Sequence, residues 1–109
     1  MAQPEDFLKL DIRIGTIRNA ALLEKAWVPA IKMTIDFGSL GTRQSSAQIT
    51  ERYEPEELIG RQVTAVVNFP PRKIAGFTSE VLVLGAVPGE GDVVLLAPDS
   101  NVPDGTKIS

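Results

Sequence analysis

The 109-residue sequence has no cysteine and no histidine. Disulfides, thiol nucleophiles, Cys/His zinc sites and every catalytic arrangement built on imidazole are excluded with them. No apolar run approaches the roughly 20 residues of a membrane helix, so membrane insertion is not expected. The opening Met-Ala-Gln-Pro-Glu-Asp is acidic and lacks the apolar run of a signal peptide, which makes the cytoplasm the expected location. There is no Walker-type phosphate loop and no Gly-x-Gly-x-x-Gly; Gly89-Glu90-Gly91 lies between strand patterns and opens no helix. Aromatics make up only 6% of the chain; Trp27, Phe69 and Phe77 are the ones whose positions allow exposure, and core packing is the preferred role of each. A net charge of −3 argues against a broad electrostatic grip on nucleic acid, while leaving room for a local basic patch.

Alternation is what the sequence does have. Leu8, Leu10, Ile12 and Ile14 alternate with Lys9, Asp11 and Arg13, which predicts a first strand over 7–18 with one buried face. The phase flips after Gly15, as at a bulge or sharp coil. Ile31, Met33, Ile35 and Phe37 predict a second strand within 28–37, and residues 42–49 a more polar third one, after a glycine turn at 36–41. The only helix expected lies within 50–60, where Pro55 suits a first turn, Glu56 and Glu57 sit near its positive end, and Gly60 follows. Further strands are expected at 63–69, 80–87 and 93–97, with a short terminal one at 106–108. Three strands, a short helix and more strands is the order of an OB-fold, an all-β five-stranded Greek-key barrel with its helix between strands three and four. An SH3-like barrel or a small sandwich competes with it. The chain reads as one domain over 1–109.

Ala65-Val66-Val67, Val81 to Leu84 and Val93 to Leu96 are apolar on both faces, more than one small barrel interior needs. Such a stripe marks a dimer interface, unless other segments of the same chain cover it. The acidic cluster Glu51, Glu54, Glu56 and Glu57 reads as a solvated helix surface, since carboxylate catalysis needs convergence in a pocket. No enzyme activity and no cofactor are expected. Recognition chemistry gathers in two stretches. Arg43-Gln44-Ser45-Ser46 supplies donors and acceptors without bulk, and the edge-strand alternative keeps even weight. Asn68-Phe69-Pro70-Pro71-Arg72-Lys73 holds two cations on a stiff approach.

Several motifs together resemble the tRNA-binding domain family: Asp11-Ile12-Arg13-x-Gly15, Ile35-Asp36-x-Gly38, Tyr53-x-Pro55-Glu56-x-Leu58-Ile59-Gly60, Pro71-x-Lys73-Ile74-x-Gly76, Ser79-Glu80 and Pro103-x-Gly105. Residues 44–50, 68–72 and 79–84 are similar to export-related bacterial chaperones built on this domain. That resemblance implies an OB-fold homodimer with terminal extensions supporting the dimer. It also implies binding of unfolded or precursor polypeptides and contact with the secretion machinery; tRNA is the alternative ligand. The binding edge is expected at Arg43, Ser45, Ser46, Asn68, Arg72, Lys73, Ser79 and Glu80. Two departures weigh toward polypeptide. Ser45-Ser46 replaces the family's usual Ser-Gly, and Val81-Leu82 follows Ser79-Glu80 where relatives carry Gly-Met; losing a glycine removes close backbone approach.

Overall fold

The computed structural model describes residues 1–109. A short helix α1 (Pro4–Leu8) leads into β1 (Ile12–Leu22), β2 (Ile31–Asp36), β3 (Thr42–Ala47), α2 (Pro55–Leu58), β4 (Gln62–Val66), the hairpin β5 (Arg72–Ile74) and β6 (Phe77–Ser79), then β7 (Leu82–Val83), β8 (Gly85–Gly89) and β9 (Asp92–Leu95). Five strands form one antiparallel sheet in the order β3-β2-β1-β4-β7, and β5-β6 and β8-β9 stand as two-stranded sheets beside it. β1 is shared: its first half pairs with β4 and its second half with β2, which lets the sheet curl on itself. The result is the nearly closed five-stranded OB-fold barrel, with α2 between β3 and β4 as expected.

The interior follows from period two. Ile31, Met33 and Ile35 of β2 point inward with Ile17, Phe37, Ile49, Leu58, Val63 and Ala65, all essentially buried, while Lys32 stays outside. Gly15 is required for space. A Cβ there would stand 2.7 Å from both the Ile35 side chain and the Phe37 ring. The register shift expected at this glycine falls three residues later, between Ile17 and Asn19, within the pairing with β2.

Some expectations need correction. Leu8 and Leu10 are not in a strand. Pro4 at the first helical turn, with Glu5 and Asp6 behind it, sets α1 instead, and Leu8 is 79% exposed. β1 runs on to Leu22, through residues expected to be a connection. The single strand expected at 80–87 is broken into β7 and β8, and the preceding loop is a hairpin turning at Ala75-Gly76. Both turn residues have positive φ, 52° and 78°, the conformation of a tight two-residue hairpin turn. Ala65 and Val66 are buried on both faces within the chain, because residues 84–96 return over β4: Thr64 N–H donates to the Leu96 carbonyl, and Leu96 N–H to that of Leu84.

Residues 105–108 lie along the edge of β1 that β2 leaves free. Ile14 N–H donates to the Thr106 carbonyl at 2.9 Å, and Ile108 N–H to the Ile12 carbonyl at 2.8 Å. Two glycines make this fit. A Cβ on Gly38 (φ 65°) would meet the Asp104 carbonyl oxygen at 2.3 Å, and one on Gly105 (φ 90°) the Phe37 carbonyl oxygen at 2.5 Å. No helix is long and apolar enough to cross a membrane.

Candidate functional site

Four of the residues expected at the binding edge spend their hydrogen bonds within the protein, three of them to close the barrel. Glu80 pairs with Gln44 twice: its backbone N–H donates to the Gln44 carbonyl at 2.7 Å, and its carboxylate accepts from Gln44 N–H at 2.9 Å. Ser45, fully buried, donates its hydroxyl to the Val81 carbonyl at 2.8 Å. The Ser79 hydroxyl accepts from Ser46 N–H at 3.2 Å. These bonds join β3 to the chain entering β7, where no regular strand ladder exists. Asn68 clips residues 9–11: its amide donates to the Lys9 carbonyl and accepts from Asp11 N–H, each at 2.8 Å.

The other four face outward or sit at the rim. Arg72 and Lys73 are exposed on β5, and the Ser46 side chain lies half-buried beside them. Arg43 is half-buried and its guanidinium donates to the Leu40 carbonyl at 3.4 Å. None of Lys25, Lys32, Arg43, Arg72 and Lys73 joins an ion pair, whereas Arg13, Arg18, Arg52 and Arg61 all do. Five of the six unpaired cations thus lie on β2, β3, the β5-β6 hairpin and the loop after β1; the sixth, Lys107, lies beside β1 opposite Arg13.

Two concavities border that hairpin. The larger, about 800 Å³, opens where the β3–β7 seam stops. Its walls are Ala47 at the end of β3, Ile49 beyond it, Leu82 and Val83 of β7, Val93 and Leu95 of β9, and Ile74 of the hairpin. Trp27 and Val28 overhang it, and Lys25 and Arg72 mark its rim. Trp27, expected in the core, is completely exposed. A side pocket of about 160 Å³ continues the groove past Ser46, Arg72 and Leu82 to Phe69 and Pro70. The smaller concavity, about 260 Å³, lies on the outer face of β2-β3 between Asn19, Lys32, Thr34, Gln44 and Phe77. Sequence reasoning missed this polar face, although the outward phase of β2 and β3 carries it.

Two carboxylates have pKa values held low, Asp11 by its hydrogen bond to Arg13 and Asp92 by its hydrogen bond to Arg52. Asp92 heads β9, so its pair with Arg52 at 2.8 Å braces one wall of the large groove.

A barrel with an apolar groove at its open seam and a polar face on β2-β3 is a binding module. OB-folds take ligands on this face and on the loops flanking it. The family described as "Putative tRNA binding domain" matches residues 12–107, and the chain belongs to that family, a binding domain and not a catalytic fold. The crystal structure of chaperone CsaA from Bacillus anthracis is 65% identical, with a TM-score of 0.96 over 100% of this chain and 99% of that one. The CsaA chaperone protein from Picrophilus torridus is 49% identical, with a TM-score of 0.92 over 100% of both chains. The methionine–tRNA ligase of Methanococcoides burtonii is 41% identical over 95% of this chain, which spans only 15% of that ligase.

Proposed function

We propose that this protein is a CsaA-like chaperone. It binds unfolded or precursor polypeptides in the cytoplasm, in cooperation with the secretion machinery, and performs no catalysis. The observation that carries this reading is the open apolar groove of about 800 Å³ under Trp27, in a chain 65% identical to a protein titled as a chaperone. An unfolded chain exposes apolar side chains that a native protein hides. A groove lined by Ile74, Leu82, Val93 and Leu95 gains free energy from any of them, at roughly 25 cal/mol per Å² buried, without reading a sequence. Lys25 and Arg72 at the rim hold polar backbone and side chains without forcing a register.

Dimerisation belongs to the same proposal. Val87 on β8 and Leu96 just after β9 remain exposed outside the groove, and such apolar surface is what a homodimer would cover. Sedimentation at micromolar concentration is expected to give twice the chain mass; a stable monomer removes this part.

A second reading, tRNA binding, is favoured by the unpaired cations around β2, β3 and the hairpin, together with the family to which the chain belongs. The experiment that tests the two is a titration with a chemically unfolded polypeptide and with tRNA, each in low and moderate salt. Polypeptide binding that changes little with salt is expected. Tight tRNA binding that weakens by close to one logarithmic unit of slope per phosphate contact, with no polypeptide binding, overturns the chaperone reading.

A further inference from the structure

The large groove runs along an unfinished strand edge. β3 and β7 are the two ends of the five-stranded sheet, and no ladder joins them. Over part of that gap, side chains stand in for the missing strand. The Glu80 carboxylate accepts the Gln44 N–H at 2.9 Å, and the Ser79 hydroxyl accepts the Ser46 N–H at 3.2 Å. These are the places that a neighbouring strand's carbonyls fill in a regular ladder. The Gln44 carbonyl in turn accepts the Glu80 N–H, so this phase of β3 turns its backbone toward the seam. Gln48 comes next in the same phase, where the seam has ended. It is exposed, it lines the groove, and neither its backbone N–H nor its carbonyl makes a hydrogen bond within the protein.

We infer that an unfolded polypeptide occupies this groove as an added strand: its backbone pairs with Gln48 on the free edge of β3, and every second side chain enters the apolar space. The inference rests on the polypeptide-binding reading above and names the class of segment taken. A strand sends alternate side chains to opposite faces, with a repeat of about 6.7 Å along one face. The segment is therefore extended, with an apolar residue at every second position. An amphipathic helix spends its backbone bonds internally and has none for the edge. Lys25 and Arg72 are the charged residues of the lining, and neither joins an ion pair, so the outward positions of the segment are acidic or neutral. Backbone bonds formed beside Ile74, Val93 and Leu95 are shielded from water, which strengthens them. Pairing fixes the parity of the segment and not its sequence, since a slip of two residues presents an equivalent face. One edge thus serves many different chains.

The test uses the full chain and a fluorescent octapeptide of alternating valine and glutamate. A second octapeptide has the same composition with its valines at helical spacing. Anisotropy titrations are expected to show the alternating peptide bound about tenfold tighter. Two N-methylated forms of it, one methylated at every valine nitrogen and one at every glutamate nitrogen, read the backbone. N–H groups of only one parity face β3, so one form should lose about tenfold, as for one or two net hydrogen bonds, and the other should stay within about twofold. Gln48→Pro removes the edge donor and should weaken the unmodified peptide about tenfold, whereas Gln48→Ala keeps the donor and should leave binding unchanged. Circular dichroism checks the fold of both variants, and if Gln48→Pro does not fold, the methylated pair decides alone. Equal affinity of the two octapeptides, or an equal response to the two methylations, overturns the inference. If a chemically unfolded polypeptide binds while the methylated forms behave alike, strand addition fails and the chaperone reading stands; if neither the polypeptide nor an octapeptide binds, both fail. Sedimentation with saturating octapeptide reads the other occupant: a dimer that dissociates on binding assigns the edge to a second copy and also overturns the inference.

Discussion

The groove under Trp27 and the face around Lys32 are separated by the β5-β6 hairpin, yet they are opposite in kind. Arg72, Ile74 and Ala75 border the groove, and Phe77, just across the turn, borders the face. The groove is apolar because it is interior left open. Ala47 continues the inward phase of β3 past the last bond of the seam and is only half-buried, with Ile49 packed in the core. The face is polar because it is the outward phase of the same strand, where Gln44 alternates with Ser45. A single period-two pattern therefore builds both surfaces, and the point where the seam ends decides which of them reaches solvent.

The largest expected effect comes from breaking the seam that holds the two apart. Ser45→Ala leaves the buried Val81 carbonyl without its main donor, at a cost of about 1–3 kcal/mol, and removes one of the four hydrogen bonds that join β3 to the chain entering β7. Thermal melting is expected to fall by roughly 4–8 °C for each kcal/mol, with polypeptide and RNA affinity declining together. Loss of one ligand alone would show that the two surfaces do not share this support. A smaller and one-sided effect is expected from Trp27→Ala. The ring is fully exposed, so stability should stay within about 0.5 kcal/mol. Isothermal titration should show unfolded-polypeptide affinity about tenfold weaker, or ~1.4 kcal/mol, with RNA affinity unchanged.

The smallest effect is acid sensitivity. Asp92 is held below the usual carboxylate value by Arg52, so its contribution to stability is present above the unfolded value of about 3.9. It is lost as pH falls through the lower folded value. Asp11 behaves the same way through Arg13. Melting curves should be flat from neutral pH down to about 5, since the chain has no histidine, and decline below about pH 4. The β8-β9 wall of the groove should loosen first, because none of the residues lining the polar face is a carboxylate or a histidine. Arg52→Gln should flatten that part of the decline; an unchanged profile would show that the pair is too solvated to matter.

Strong periodicity made much of the barrel readable. β2, β3, the glycine turn between them, the Pro55 helix and β9 all lie where alternation, glycine and proline put them. The signal failed where two periods agree over a short span. Leu8 and Leu10 fit a strand by alternation, but Pro4 and the acids behind it started a helix first. The β5-β6 hairpin was hidden because its turn uses Ala75, where the usual cue is Asn or Asp before glycine. At the site, residue type was legible and partner was not. Ser45, Ser79, Glu80 and Asn68 have the side chains of a recognition edge, but only folding shows that their hydrogen bonds are spent on Val81, Ser46, Gln44 and residues 9–11. Trp27 was one of three aromatics whose exposure the sequence allowed while core packing was preferred, and it stands in solvent because its loop leaves the barrel.

The fit of Gly38 against Asp104 and of Gly105 against Phe37 has a kinetic meaning. The free edge of β1 near residue 14 is filled by residues roughly ninety positions later, among the longest separations this chain offers. Contacts of that kind form late, since the loop must close before they repay it. During synthesis, therefore, the edge at Ile12 to Ile14 stays open until residue 108 has emerged. A protein proposed to shield unfinished chains is itself, for most of its own translation, an unfinished chain with an exposed strand.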